Sequence, residues 1–147
     1  MRVALGSDHA GFALKGHLAE LLAGKGMTVF DLGTHSEDPV DYPDFAAAVS
    51  RAVVDGRADR GIVVCGSGAG ACVAANKIRG IRAATAHDTY TAHQAVEHDD
   101  VNVLCLGSRV IGQALAEELA TTFLAAKFTR EERHVRRLAK VLALEGD

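Results

Sequence analysis

The segment CGSGAGACVAANK, Cys65 to Lys77, sets a thiol directly against Gly66, Gly68 and Gly70, with Ser67 between the first two glycines. Three chemistries fit such a run: a dinucleotide-binding turn, a phosphate cradle, or a nucleophile or base held at the start of a helix. Glycines open backbone conformations closed to other residues. A helix starting near Ala69 leaves its first amide hydrogens without internal partners, so loop and helix end together make an anion site. A thiol beside that positive end has its thiolate favoured, as suits a base or nucleophile working near neutrality. The competing reading is a strand-end cysteine packed as a small apolar side chain.

The dinucleotide reading fits least. Gly66, Gly68 and Gly70, with Asp88 downstream, resemble that fingerprint, but the third glycine comes one residue early and the loop follows the third strand. A Walker loop is excluded, because there is no Gly-Lys-Ser/Thr triplet and Lys77 lies too far along the helix. A second place for anions lies in REERHVRRLAK, where Arg133 and Arg137 are four apart and share a helix face, with His134 beside them. Two guanidiniums can hold a phosphate by charge-assisted, partly bidentate hydrogen bonds. The alternative is a solvated basic face balanced by Glu131 and Glu132. Cys72 and Cys105 read as core packing, and His17, His35, His87 and His93 as surface or loop histidines. His98, Asp99 and Asp100 are neighbours on one short turn and do not converge on one ion, so no metal site is expected.

The elements that must position these residues follow from periodicity. Short apolar runs at Arg2 to Gly6, Met27 to Leu32, Arg60 to Cys65, Ile81 to Ala86 and Asn102 to Leu106 read as five strands. Helix-period segments separate and follow them: Ala10 to Lys25, Pro43 to Asp55, Ala69 to Lys77, Thr89 to Glu97, Gln113 to Phe123, and a basic C-terminal helix from Arg130 to Leu144. In that last helix Val135, Leu138, Val141 and Leu142 supply an apolar stripe for packing. The alternation predicts an α/β fold with a parallel five-stranded sheet, in the common order 2-1-3-4-5. Ligands in such sheets sit beyond the strand carboxyl ends where the order reverses. The loop after the first strand, GSDHAG, should therefore face the loop after the third, placing Asp8 and His9 in one crevice with Cys65 and Ser67.

Composition bounds the function. A chain of 147 residues, 48% hydrophobic, makes one domain spanning residues 1–147 with a real core. A net charge of -3 from 16 basic and 19 acidic residues gives no reason to expect nucleic acid or a membrane surface as partner. No apolar run reaches the roughly 20 residues of a membrane helix, and the opening MRVALGSD reads as a strand, not a signal peptide, so a cytoplasmic location is expected. Three cysteines form neither a paired framework nor a zinc pattern, and reduced thiols are expected.

Several motifs in order, SDHAGFALK at 7–15, DYPDFA at 41–46, CGSGAGACVAANKIRGIRA at 65–83, EHDDVNVLCLGSRVIG at 97–112 and RHVRRLAK at 133–140, closely resemble ribose-5-phosphate isomerase type B. The match extends over nearly the whole chain, and the wider group includes galactose-6-phosphate, allose-6-phosphate and tetrose-phosphate isomerases. The resemblance implies metal-free, cofactor-free aldose–ketose interconversion of a phosphorylated sugar on a Rossmann-like three-layer α/β/α domain. It also implies a homodimer or homotetramer whose sites draw residues from two subunits. Carried over by position, Cys65 is the base that moves a proton between C1 and C2 through a cis-enediolate, with Ser67 assisting. Backbone amides of Gly66, Ser67, Gly68, Ala69 and Gly70 stabilise the oxyanion. His98 opens the furanose ring; Asp8, Tyr42 and the residue at 99 contact the sugar; His9, Arg109, Arg133, His134 and Arg137 grip the phosphate.

Two positions set this chain apart within that pattern. Some relatives carry a glutamate base six residues after the cysteine position, where this chain has Ala71, so it follows the cysteine branch. The usual His-Asn pair reads His98-Asp99, and an ionised aspartate accepts hydrogen bonds without donating them, which bears on sugar preference. The alternative of another class is a noncatalytic binder of phosphate ligands on the same fold. The presence of both Cys65 and His98 favours the enzyme.

Overall fold

The computed structural model describes residues 1–146. Its elements alternate along the chain: β1 (Arg2–Ser7), α1 (Phe12–Gly24), β2 (Thr28–Asp31), α2 (Tyr42–Val54), β3 (Arg60–Cys65), α3 (Ala69–Ala75), β4 (Ala83–Thr85), α4 (Thr89–Asp99), β5 (Val103–Gly107), α5 (Gln113–Ala125) and α6 (Glu132–Ala143). All strand pairs are parallel, in the order β2-β1-β3-β5-β4. The reversal between β1 and β3 is the one expected. At the far edge the expected order is corrected, because β5 and not β4 pairs with β3. Burial explains the exchange. Every residue of β5, VLCLG, is buried and needs cover on both faces, whereas β4 is three half-buried residues, AAT, short enough to tolerate an edge.

Successive strand residues face opposite layers. Leu5, Ile62, Val64, Leu104 and Leu106 pack with Leu18 and Leu22 of α1, Val96 of α4, and Leu119 and Phe123 of α5. Ala4, Val63, Cys65, Val103 and Cys105 pack with Val49 of α2 and Ala71 and Ala75 of α3. The second layer lies close to the sheet: a Cβ at Gly61 would fall 2.4 Å from Val49 Cγ1. Cys65 thus ends a central strand on the α2/α3 side, one residue before the chain turns.

Helix α6 stands apart. Its buried residue is His134, set against α4, while the apolar stripe expected to pack inward stays largely open, with Val135 47%, Val141 47% and Leu142 39% exposed. Among the described residues no helix is long and apolar enough to cross a membrane.

Candidate active site

The crevice at the β1/β3 reversal holds a cavity of about 360 Å³ bordered by Asp8, Tyr42, Cys65, Ser67, Gly70 and Arg109. Each arrives from a different loop at the strand carboxyl ends. Asp8 follows β1 and is nearly buried; its Oδ1 accepts the Gly11 amide hydrogen at 3.1 Å, an Asx-type turn that opens α1. Tyr42 is the first residue of α2. Arg109 follows β5, and its own amide donates to Gly66 O at 3.0 Å.

Cys65 is 3% exposed, backed by the α2/α3 core and fronting the cavity on the same side as Asp8. Its Sγ accepts the Gly68 amide hydrogen at 3.2 Å. Gly68 caps α3 at φ 81°, a left-handed conformation costly for any residue with a Cβ. Gly70 is required by close approach, since a Cβ there would lie 2.7 Å from the Tyr42 ring. Ser67 Oγ accepts the Ala69 amide hydrogen at 3.2 Å. Two of the expected oxyanion donors, the amides of Gly68 and Ala69, are therefore engaged inside the loop. The other first-turn amides are not claimed by the helix itself.

A neighbouring cavity of about 470 Å³ shares Asp8 and Tyr42 and adds His9. The Val40 amide donates to His9 Nδ1 at 3.2 Å, so in the neutral ring the proton sits on Nε2, free to donate. The loop carrying Val40 is tethered at its start by Lys15. That ammonium is 2% exposed and donates to Asp31 Oδ1 and Thr34 O, each at 2.6 Å.

The remaining expected residues lie elsewhere in the chain. His98 and Asp99 end α4, and Arg82 Nε, entering β4 at the sheet's amino edge, donates to Asp100 O at 2.8 Å. Cys65 is level with Gly107 at the carboxyl edge. Four residues of β5 separate the two edges, about 13 Å at 3.3 Å per residue. His98 stacks on His134 with ring centroids 4.0 Å apart, and its Nδ1 pairs with the Gln94 amide at 2.8 Å. His134, expected among the phosphate donors, is 2% exposed, and its Nδ1 pairs with Thr129 Oγ1 at 2.6 Å, so it backs the His98 ring. Burial first, then the charges of His98 and Arg133, hold the His134 imidazole below its ordinary value. Arg133 pairs with Glu131, and Arg137 forms no ion pair among the described residues. Asp99 borders a different cavity together with Arg82 and Glu145.

Three supporting side chains had no signal in the sequence reading. Thr85 donates from Oγ1 to Gly68 O at 3.1 Å, His87 Nε2 accepts the Gly107 amide hydrogen at 2.9 Å, and Ser108 donates from Oγ to Ala10 O at 2.8 Å. Behind the loop, the neighbouring Cys105 thiol pushes the Cys72 thiol down to about 6 against the opposing effect of burial. The same pairing, with burial, holds Cys105 well above an ordinary thiol. Among the described residues no cluster of potential metal ligands occurs.

An open parallel sheet whose switch-point crevice joins a thiol, a buried acid, a tyrosine and an arginine defines an α/β protein with a small-ligand cavity at its switch point. Residues 3–141 match the model of the family described as Ribose/Galactose Isomerase. The chain is 41% identical to ribose-5-phosphate isomerase B of Escherichia coli (strain K12), covering 98% of this chain and 96% of that protein. It is 43% identical to D-erythrulose-4-phosphate isomerase of Pectobacterium atrosepticum, over 87% and 85% of the two chains. The structure of ribose-5-phosphate isomerase B from Clostridium thermocellum superposes with a TM-score of 0.96 at 46% identity, covering 99% of this chain and 97% of the other. The chain belongs to the ribose/galactose isomerase family and is a sugar-phosphate isomerase of that family.

Proposed function

We propose that the chain interconverts ribose 5-phosphate and ribulose 5-phosphate, with Cys65 as the base. The observation that carries this reading is Cys65 Sγ, 3.2 Å from the Gly68 amide, at the edge of a cavity shared with Asp8, Tyr42, Ser67 and Arg109. In the open-chain sugar the Cys65 thiolate takes the C2 proton, leaving an enediolate. The thiol returns a proton to C1, and the hydroxyl proton passes from O2 to O1, so ketose replaces aldose with no net change in atoms or electrons. Loop amides stabilise the enediolate oxygen, each donor worth about 3 kcal/mol of barrier. Asp8 and Tyr42 hold the sugar, and His9 and Arg109 hold the phosphate. Binding of that remote charge orients the reacting carbons.

His98, Asp99, Arg133 and Arg137 reach such a site only from a second copy of the chain, since their own crevice lies across the sheet. A homodimer, alone or paired into a tetramer, supplies them, and the exposed apolar face of α6 is a surface for it. A four-carbon substrate is the second reading, favoured by the comparable identity to the D-erythrulose-4-phosphate isomerase. Exchange of the substrate C2 hydrogen with solvent tests the chemistry. The wild type should exchange it, and Cys65→Ala should lose at least about a hundredfold in rate. An alanine variant with undiminished exchange removes the thiol from the mechanism.

A further inference from the structure

The surface and cavities outside the crevice offer ion pairs and shallow grooves, whereas the floor under the glycine loop holds a histidine that no step of the proposed reaction uses. His87 lies between β4 and α4, half-buried, two residues beyond Thr85. Its Nε2 accepts the amide hydrogen of Gly107, the last residue of β5, at 2.9 Å. An amide can only donate, so in this bond Nε2 is the acceptor and Nδ1 is left as the ring's donor.

Gly107 is where the floor meets the loop. A Cβ on it would fall 2.6 Å from both the carbonyl carbon and the oxygen of Ser67, and a Cβ on Gly68 would lie 3.2 Å from the Gly107 nitrogen. The backbone of Ser67 and Gly68 therefore rests on Gly107 with no intervening side chain. Next along the chain, Ser108 and Arg109 donate their amides to Cys65 O and Gly66 O at 2.9 and 3.0 Å. Thr85 steadies the same loop from the β4 side through Gly68 O. Any shift of Gly107 is thus passed to the Gly68 amide that binds the Cys65 sulfur and to the amides beside it.

We propose that His87 is a positioning residue for the isomerisation: by accepting the Gly107 amide hydrogen it fixes the floor that sets the Cys65–Gly68 loop at its reacting geometry. Removing the acceptor leaves a buried amide hydrogen unpaired and lets Gly107 move toward another partner. Misplacement of a loop by about 1 Å can cost about a hundredfold in rate. Asp8, His9 and Tyr42 are set by other loops, so substrate affinity is largely retained. The inference rests on the isomerase reading above.

The test compares His87→Leu and His87→Gln, side chains of similar size of which only glutamine presents an acceptor. Steady-state rates on ribose 5-phosphate and erythrulose 4-phosphate are measured with thermal midpoints. The expected result is a kcat lowered about 10- to 100-fold by leucine with KM within about threefold, and recovery by glutamine to within about threefold of wild type. If the leucine variant fails to fold, His87→Asn, whose amide stops short of Gly107, replaces it with the same expected loss. A kcat unchanged by leucine, or one lost equally in the leucine and glutamine variants, overturns the positioning role while leaving the isomerase reading intact. No turnover by the wild type on either sugar overturns that reading and this inference with it.

Discussion

At the scale of single residues, the account turns on which atoms of the crevice are free and which are engaged. Cys65 has its sulfur bound by one amide, and His9 has one ring nitrogen satisfied and the other able to donate. Under the proposed function, Asp99 is the residue that most directly bears on substrate choice. A carboxylate at that position accepts only, and it brings negative charge toward a sugar phosphate, whereas an amide can donate. Asp99→Asn should raise kcat/KM on ribose 5-phosphate relative to erythrulose 4-phosphate by about tenfold; equal ratios in the two proteins would dismiss the residue as a selector. His134 gives a pH prediction. Its imidazole is held below its ordinary value in the fold, so the folded state resists protonating it while the unfolded chain does not. The stability it contributes is present above the unfolded value of about 6.5 and is lost as pH falls below it. Urea midpoints should therefore drop from pH 7.5 to pH 5.5 more steeply in wild type than in His134→Gln.

At the scale of elements, strands were legible because β1, β3 and β5 are continuous apolar runs ended by Gly, Ser or Cys beside polar loops. The boundaries of β3 fell where expected, at Arg60–Cys65. The edge order was not legible, since a parallel sheet places β4 and β5 by relative burial and not by sequence spacing. The three-residue β4 in particular gave little to compare. The loop between β2 and α2 shows what else spacing hides. Its anchor is Lys15, on α1, to which the sequence reading gave no role and which is fully buried against Asp31 and Thr34. Asp31→Ala leaves that ammonium with one carbonyl partner and should cost about 2 to 3 kcal/mol, at or just below the usual range because Asp31 itself is partly exposed. Glu132→Ala, which removes the partner of exposed Arg136, should cost less than about 0.5 kcal/mol. Chemical denaturation of both variants checks the contrast, and equal losses would refute the burial argument.

At the scale of the whole molecule, the residues marked in the sequence divide into two sets on opposite edges of one sheet. Asp8, Tyr42, Cys65, Ser67 and Arg109 share a cavity at the carboxyl edge, while His98 and Asp99 lie at the amino edge and α6 carries Arg133 and Arg137 beside them. Motif positions alone could not show this division, because a helix that starts beside a strand's carboxyl end finishes near the amino end of the next. Under the proposed function this division is a reason for an assembly in which one copy supplies Cys65 and another supplies His98, Arg133 and Arg137. Mixing Cys65→Ala with His98→Asn subunits, each inactive alone, tests this most directly. Random exchange makes half the dimers mixed, each with one intact site of two, so activity should return to about a quarter of wild type. A mixture that exchanges subunits yet stays as inactive as its parents would contradict the account.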